Sequence, residues 1–280
     1  MKKAAIGIVA FAAAIGTHAL AADMPLKAPP PTPVAPYSWT GFYVGVSGGY
    51  GWSNAGIDLA PAPVQTSGVA GVVATSAAAT PGVLNTHPHG FLGGGQMGYN
   101  YQADRWLWGV EADASYADFK GSNIESGTAL FPPASLANIT AVGEQRLNFF
   151  GTLRGRAGFL PTNSLLVYAT GGLAYGHAES STNTSDAGAP ILTAPASGSA
   201  SRMLAGWTAG GGLEAALPVS SAWRFKIEYL YYDLGKLTYT LSPAAVCAGA
   251  CATTIGFVTT TASANFHGSI VRIGLNYEFH

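Results

Sequence analysis

Charged residues are scarce in this chain of 280 residues, which has 13 Lys and Arg, 14 Asp and Glu, and 10% charge overall. Since about 25% is usual for a soluble domain, the composition argues against an ordinary cytosolic protein. The net charge of −1 provides no basic surface, which disfavours nucleic-acid binding. No apolar run beyond residue 22 reaches the roughly 18 residues of a membrane-spanning helix. Because 48% of the residues are nonetheless hydrophobic, the sequence favours β-strands.

Cysteine occurs only at Cys247 and Cys251, in one segment and with three residues between them. In an oxidising compartment such a pair favours a disulfide over two free thiols. A metal site would need two or more further soft ligands nearby, and the sequence places none there. We therefore predict a disulfide, and no metal or cofactor.

The N-terminus carries two lysines, an apolar run from Ala4 to Gly16, and small residues ending at Ala21. This order predicts a secretory signal peptide over residues 1–21, with an uncleaved anchor helix as the alternative. Residues 22–36 are rich in proline, which favours an extended periplasmic segment. The remaining region, residues 37–280, is predicted to be an exported β-domain.

Segments of alternating polarity in this domain are joined by connections that are alternately short and long. Short turns are predicted at 103–105, 161–163 and 219–221; the long connections, rich in Ala, Ser, Thr, Gly and Pro, cover 54–88, 121–144, 179–201 and 240–262. We expect the long connections to be loops without a core of their own. Seven connections imply eight strands, at 39–53, 90–102, 106–119, 145–160, 164–178, 203–217, 223–238 and 264–279. An even strand number with both chain ends on the short-turn side is typical of bacterial outer-membrane barrels.

Period-two alternation assigns a face to each residue of these strands. In the last strand Val271 and Ile273 alternate with Arg272 and Gly274, so one face is apolar and the other polar or glycine. A soluble sandwich would show the same alternation. The aromatic residues distinguish the two folds, because they bracket the apolar faces about ten residues apart: Phe42 and Trp52, Trp106 and Tyr116, Trp223 and Tyr231. Ten intervals of about 3.3 Å, tilted by roughly 40°, span about 25 Å, the height of a barrel's lipid-facing band.

We therefore predict an all-β fold: an eight-stranded antiparallel up-and-down transmembrane β-barrel with short periplasmic turns and long extracellular loops. Its polar face would line the lumen with five acids and five bases, namely Glu111, Asp113, Arg154, Arg156, Glu214, Arg224, Lys226, Glu228, Arg272 and Glu278. Glu111 and Asp113 should face Arg154 and Arg156, while Glu214 and Lys226 should lie opposite each other across a turn.

Several motifs resemble the small immunogenic outer-membrane proteins of Gram-negative alphaproteobacteria. They are Trp39–Gly45, Gly98–Gln102, Gly109–Asp113, Arg154–Gly158, Tyr168–Gly176 and Glu228–Gly235, and the likeness covers about residues 37–279. These are porin-like eight-stranded barrels related to the transmembrane domain of outer-membrane protein A. The resemblance implies a non-enzymatic surface-exposed structural protein and antigen in the outer membrane, and in some members a small-solute porin or a haemin binder.

The C-terminal strand resembles the assembly signal read by the outer-membrane insertion machinery. The residues concerned are Gly274, Tyr277 and Phe279, although His280 adds a residue after the terminal aromatic. The expected partners are therefore this machinery, outer-membrane lipid and lipopolysaccharide, together with extracellular ligands of the loops.

Four alternatives for the function stay open at this point. Since eight strands leave an interior that side chains just fill, the lumen charges form either a salt-bridged plug or a narrow solute path. A path would use the room left by inward glycines, namely Gly45, Gly49, Gly94, Gly98, Gly172, Gly210 and Gly212.

Haemin or metal could be captured by the histidines at the loop-side strand ends, His87, His89, His177 and His267. A lipid-facing pair, His267 and Ser269, is compatible with a serine hydrolase, but we find no third, orienting carboxylate on the outward face of a neighbouring strand.

Overall fold

A computed structural model describes residues 38–66, 71–131, 135–186, 191–217, 220–248 and 253–279. The predicted signal peptide, the proline-rich segment, Cys251 and His280 lie outside these residues, so the processing and disulfide predictions stay untested. Strands dominate the fold, and within the described part of the chain no helix is long and apolar enough to cross a membrane.

Twelve strands and one helix are present among the described residues. In chain order they are β1 (Gly41–Trp52), β2 (Ile57–Gln65), α1 (Val72–Ala79), β3 (Val83–Leu84), β4 (His89–Ala103), β5 (Trp106–Phe131), β6 (Ser135–Thr162), β7 (Leu165–Asp186), β8 (Ile191–Thr193), β9 (Ala196–Leu217), β10 (Ser220–Thr240), β11 (Ala244–Ala248) and β12 (Thr253–Phe279).

Eight of the strands form a closed antiparallel ring. Its order is β1-β4-β5-β6-β7-β9-β10-β12, and β12 pairs back with β1 from Phe42 opposite Phe279 to Trp52 opposite Ser269. Each ring strand except the last is followed by its spatial neighbour, so the topology is up-and-down. The predicted eight-stranded barrel is confirmed.

Two of the predicted short turns lie at one end of the ring, and the third, at 219–221, falls partly outside the described residues. Asp104 and Arg105 join β4 to β5, with Asp104 in the left-handed region at φ 54°, a conformation that Asp tolerates better than most residues. Asn163 and Ser164 form the two-residue connection between β6 and β7. These tight connections place both described chain ends, near residues 38 and 279, at this periplasmic side.

The predicted long loops are mostly strand, which corrects the sequence-based boundaries. The β5–β6 hairpin stays paired from Trp106 opposite Phe159 to Phe131 opposite Ser135, and β7 pairs with β9 as far as Thr184 opposite Ala196. In these extensions Ala, Ser, Thr and Gly occupy both faces, so the polarity alternation is too weak to indicate a strand. Pairing to the neighbouring strand satisfies the backbone and continues the barrel beyond the apolar band.

A second correction concerns the core, because the extracellular connections do bury apolar residues. Helix α1 begins after Gly71, ends before Pro81, and buries Val72, Val73 and Ala77 in a cluster that includes residues of β2, β11 and β12. This extracellular cap also contains the Tyr239 hydroxyl, which hydrogen-bonds with Ser180 and Thr182 at 3.0 and 2.7 Å. Burial raises the pKa of Tyr239, and those two hydrogen bonds partly oppose the shift.

The outer face of the ring is apolar, and its aromatic side chains form two belts. Phe42 packs on Tyr99 and Trp106 on Phe159 near the periplasmic turns, at ring separations of 4.7 and 5.4 Å. At the opposite level the contacting pairs are Tyr50 with Phe91, Phe149 with Tyr175, and Trp207 with Tyr231. Phe42 is 68% and Trp106 56% exposed, as expected for side chains that meet lipid instead of a protein core.

Candidate functional site

The ten predicted lumen residues all point into the ring. They come from β5, β6, β9, β10 and β12, on the face opposite the aromatic belts, and none is more than 3% exposed. Charged groups this deeply buried need opposite charges and hydrogen bonds around them, because each has lost its hydration. The set contains five acids and five bases, so the interior is formally neutral.

Glu111 is the acid with the most basic neighbours. Lys226 Nζ lies 2.8 and 2.9 Å from its two carboxylate oxygens, while Arg154, Arg156 and Arg272 also form ion pairs with it. Tyr43 donates its hydroxyl to the same carboxylate at 2.7 Å. Residues from four different strands, β1, β6, β10 and β12, therefore converge on one side chain of β5.

Two further acids extend this network along the lumen. Arg272 bonds Glu228 through Nε at 2.6 Å and Asp113 through Nη2 at 3.1 Å. Arg154 reaches the same two carboxylates at 3.0 and 3.3 Å. Each arginine thus bridges acids on separate strands, which ties the walls of the barrel to each other.

The predicted placement of Glu214 opposite Lys226 is confirmed, although each of the two side chains has a different ionic partner. Glu214 lies opposite Lys226 in the β9–β10 register, but its carboxylate bonds Arg156 at 2.5 Å and accepts from Asn276 at 2.9 Å. Lys226 instead extends to Glu111. Long side chains in a narrow lumen reach across it, so facing positions on adjacent strands do not fix the partners.

Three participants were missed by counting formal charges alone. Tyr43 lies between Glu111 and Arg156, Tyr168 donates to Glu228 at 2.9 Å, and Asn276 connects Glu214 to Gln96. All are polar residues at inward positions of the period-two pattern, so the alternation itself could have found them. The Arg156 guanidinium also lies over the Tyr168 ring, 4.3 Å from its centroid.

The periplasmic end of the lumen holds a separate ion pair and an apolar cluster. Arg224 pairs with Glu278, donates to the Ser38 carbonyl at 3.1 Å, and covers the Trp39 ring at 3.9 Å. Trp39 packs in a buried cluster whose other members are Leu107, Leu160, Leu166 and Tyr168. These bulky side chains fill the barrel below the main charge network.

An apolar layer lies directly above the network, towards the extracellular side. Leu230 and Ile270 are each two residues from network members on the same strand, at Glu228 and Arg272, and both are fully buried. Phe119 and Phe150 belong to the same cluster, and the Phe150 and Tyr232 rings contact at 5.1 Å. The charge network is therefore covered by apolar side chains on both sides.

The inward glycines do not leave open space. A methyl group at Gly98 would collide with the Tyr43 phenol, and one at Gly45 with the Asn276 amide. At Gly212 it would approach the Tyr168 hydroxyl to 2.8 Å. At these three positions the room that the sequence indicated is occupied by polar side chains that take part in the network.

The four histidines remain on the outside and are distributed around the ring. Nδ1 of His89 lies 3.0 Å from the His87 carbonyl oxygen, at the start of β4, while His177 lies on β7 and approaches Glu179 at 3.3 Å. His267 lies on β12, opposite Asp233. The structure does not bring them into one cluster.

The possible hydrolase pair lacks catalytic geometry, although one sequence-based statement about it was wrong. Asp233 is a carboxylate opposite His267 on the neighbouring strand, in the outward-facing register. Its Oδ1 accepts from the Gly235 amide at 2.8 Å, however, and the Ser269 hydroxyl is hydrogen-bonded to Tyr229 at 2.9 Å. Among the described residues, no ion pair or hydrogen bond joins His267 to Ser269 or Asp233.

The residues of the predicted assembly signal lie at the periplasmic end of β12. Tyr277 and Phe279 point outward and their rings contact at 5.1 Å, while Gly274 faces the lumen near Gln96 and Lys226. Cys247 lies in β11, but its predicted partner lies outside the described residues.

Comparison with known proteins identifies the family of this barrel. The outer membrane protein beta-barrel domain matches residues 8–279. A 31 kDa outer-membrane immunogenic protein of Brucella melitensis is 32% identical over 275 residues, covering 97% of this chain and 98% of that protein. A 22 kDa outer membrane protein of Rhizobium leguminosarum is 29% identical, covering 75% and 71%.

Among solved structures, the outer membrane protein OprG from Pseudomonas aeruginosa aligns with 86% of this chain and 97% of its own, at 16% identity and a TM-score of 0.34. The family match spans nearly the whole sequence, and the described part has the ring topology and apolar outer face that such a domain requires. The chain thus belongs to the outer membrane protein beta-barrel domain family and is located in the outer membrane of a Gram-negative bacterium.

Proposed function

We propose that this protein is a non-enzymatic component of the outer membrane that stabilises the envelope and presents ordered structure at the cell surface. The observation that carries the proposal is the filled lumen: five acids and five bases are buried there with no net charge, and the main network around Glu111 has apolar side chains above and below it. A selective channel would instead line a continuous wet path with an excess of one charge.

The extracellular part of the barrel supports the surface role. Strand β5 continues from Tyr116 in the upper aromatic belt to Phe131, and β6 pairs with it over that length. Fifteen residues at about 3.3 Å each, tilted by roughly 40°, rise on the order of 40 Å above the belt. A paired, capped structure of that height offers a defined surface to antibodies or extracellular ligands, and the Brucella relative is named as immunogenic.

The experiment that tests a filled lumen is conductance of the purified protein in planar bilayers. We expect no stable stepwise currents, because water and ions have no continuous route through the apolar layers. Stepwise currents that change in Arg156→Gln or Glu228→Gln, but not in the exposed turn variant Arg105→Gln, would show that the lumen is a conducting pore and is not plugged.

The non-enzymatic part of the proposal has its own test. Wild-type protein and the Ser269→Ala variant are incubated with lipid A, and release of fatty acid is measured. We expect no release from either, since Ser269 bonds Tyr229 instead of His267. Release by wild type that disappears in Ser269→Ala would assign the protein a hydrolase activity.

A further inference from the structure

A short segment before the first strand, residues 38–40, lies across the periplasmic mouth of the ring. Strand β1 begins at Gly41, and from there Trp39 reaches the β6–β7 turn, where its indole Nε1 donates to the Asn163 carbonyl at 3.0 Å. In the ring order β7 is four places from β1 in either direction, so this contact connects opposite walls of the barrel. We call residues 38–40 the strap.

The Trp39 side chain is the part of the strap that closes the lumen. It is fully buried, and it packs in one cluster with Leu107, Leu166 and Tyr168, which project inward from β5 and β7. The Arg224 guanidinium of β10 lies over the indole ring at 3.9 Å. A buried indole with contacts on several strands separates the lumen above it from the periplasm.

The strap is held by contacts that are not part of the strand pairing. The Trp39 amide donates to Gln102 Oε1 at 2.9 Å, and Arg224 donates to the Ser38 carbonyl at 3.1 Å. The pairing of β1 with its neighbour β4 begins only at Gly41. The strap can therefore leave the mouth while every strand pair of the ring stays intact.

Unsatisfied polar groups lie in the lumen just inside the strap. Asn100 is fully buried on β4, two positions from Gln102, and within the described part of the chain neither polar atom of its side chain has a hydrogen-bond partner. Nε of Arg156, whose side chain lies beside the same Gly109 as that of Asn100, also lacks one. Buried polar groups without partners destabilise the closed state, because they have lost their hydration. Water that enters behind the departing strap would restore it and offset part of the lost Trp39 contacts.

We propose that the strap is a displaceable stopper: Trp39 closes the periplasmic mouth, and its withdrawal opens a wet vestibule that ends at the charge network around Glu111. The vestibule admits water and small polar solutes from the periplasm. It does not cross the membrane, because the ion pairs of Glu111 and the apolar layer that contains Leu230 and Ile270 stay in place above it. The inference goes beyond the envelope and surface role proposed above and does not depend on it.

The reactivity of a thiol placed just inside the strap tests the proposal. Asn100→Cys, combined with Cys247→Ser and Cys251→Ser, gives the full-length barrel a single thiol, and the rate of its reaction with a charged methanethiosulfonate reagent is measured after refolding. Trp39→Ala should raise this rate by about tenfold or more, because the mouth is then open to the reagent. Gln102→Ala keeps Trp39 but removes one hydrogen bond of the strap, and should raise the rate by about fivefold.

Two controls separate opening of the mouth from general loosening of the barrel. Trp106→Ala removes an exposed tryptophan of the periplasmic belt outside the lumen and should leave the rate unchanged. A single thiol introduced by Leu230→Cys, beyond the charge network, should stay unreactive when combined with Trp39→Ala. All variants should show the heat-dependent gel shift of a folded barrel.

The stopper is overturned by any of four results. They are an unchanged rate in Trp39→Ala, an unchanged rate in Gln102→Ala, an equal increase in Trp106→Ala, and reaction of the Leu230→Cys thiol when Trp39 is removed. The first two would show that Trp39 does not control access, and the last two that the whole barrel has loosened.

Discussion

At the scale of single residues, the lumen charges depend on having several partners each. Glu111 contacts four bases and a tyrosine hydroxyl, and Arg154 contacts three acids. A buried ion pair gains little over apolar packing, but loss of one partner leaves an uncompensated charge in a dry interior. The complete network is therefore stable in the lumen, whereas a change of charge sign at any one of its residues should destabilise the barrel.

Arg154→Glu tests this sensitivity. It replaces a base that bridges Glu111, Asp113 and Glu228 with a fourth acid among them, so we expect a loss of at least about 3 kcal/mol in the free energy of unfolding. Urea unfolding of the barrel refolded into lipid vesicles measures the change. Arg105→Gln, an exposed residue of the β4–β5 turn, should leave the midpoint unchanged; equal stability of the two variants would mean that Arg154 does not face the lumen.

At the scale of strands, each long ring strand has a lipid-facing part followed by an extracellular part. In β5 the outward residues change from a continuous apolar run that includes Trp106, Trp108 and Val110 to a mixed set in which Ser122, Ser126 and Thr128 alternate with Ile124 and Leu130. The same backbone pairing continues through both parts, interrupted by a bulge between Tyr116 and Phe119. The continuous apolar outer face therefore ends at the upper aromatic belt, while the sheet does not.

This division predicts different costs for one substitution at two outward sites. Leu213→Arg places a charge on the lipid-facing part of β9, where a residue near the bilayer midplane should cost about 2–4 kcal/mol. Ser126→Arg places the same charge on the water-facing part of β5 and should cost little. The folded fraction after refolding into vesicles, read from the heat-dependent gel shift, should fall for Leu213→Arg alone. Equal yields would show that the face of Leu213 does not contact lipid.

At the scale of the whole molecule, the ring is complete only when the last strand pairs with the first. β12 pairs with β10 on one side and β1 on the other, and its final outward residue, Phe279, lies opposite Phe42. If Phe279 also belongs to the assembly signal, it has a role that its partner Phe42 lacks.

Phe279→Ala and Phe42→Ala form a matched pair for this role. Both remove an exposed ring from the same periplasmic belt, so their effects on the stability of the refolded barrel should be similar. In cells, Phe279→Ala should reduce the amount of protein in the outer membrane several-fold while Phe42→Ala does not, as measured in membrane fractions. A similar reduction in both would indicate general loss of the belt instead of a recognition signal.

Alternation along each strand, together with the turn lengths, was enough to predict the eight strands of the ring, their closed antiparallel order, the outward aromatic belts and the inward position of all ten charged residues. These features follow from period two and turn length, which are local properties of the chain. The extracellular strand extensions were not predictable from alternation, because small polar residues on both faces give no contrast. Their strand state depends on the neighbour that each one pairs with.

The sequence by itself thus determined which side chains enter the lumen. Only the tertiary structure decided which partners these side chains contact and whether open space remains in the lumen. Lys226 reaches Glu111 across 115 residues of chain, and Arg156 reaches Glu214 on a strand that is not its neighbour. Such contacts depend on barrel diameter and on the stagger of strands around the ring, which set the distance across the lumen. For the same reason the inward glycines suggested a passage, whereas the folded barrel fills their space with Tyr43, Tyr168 and Asn276.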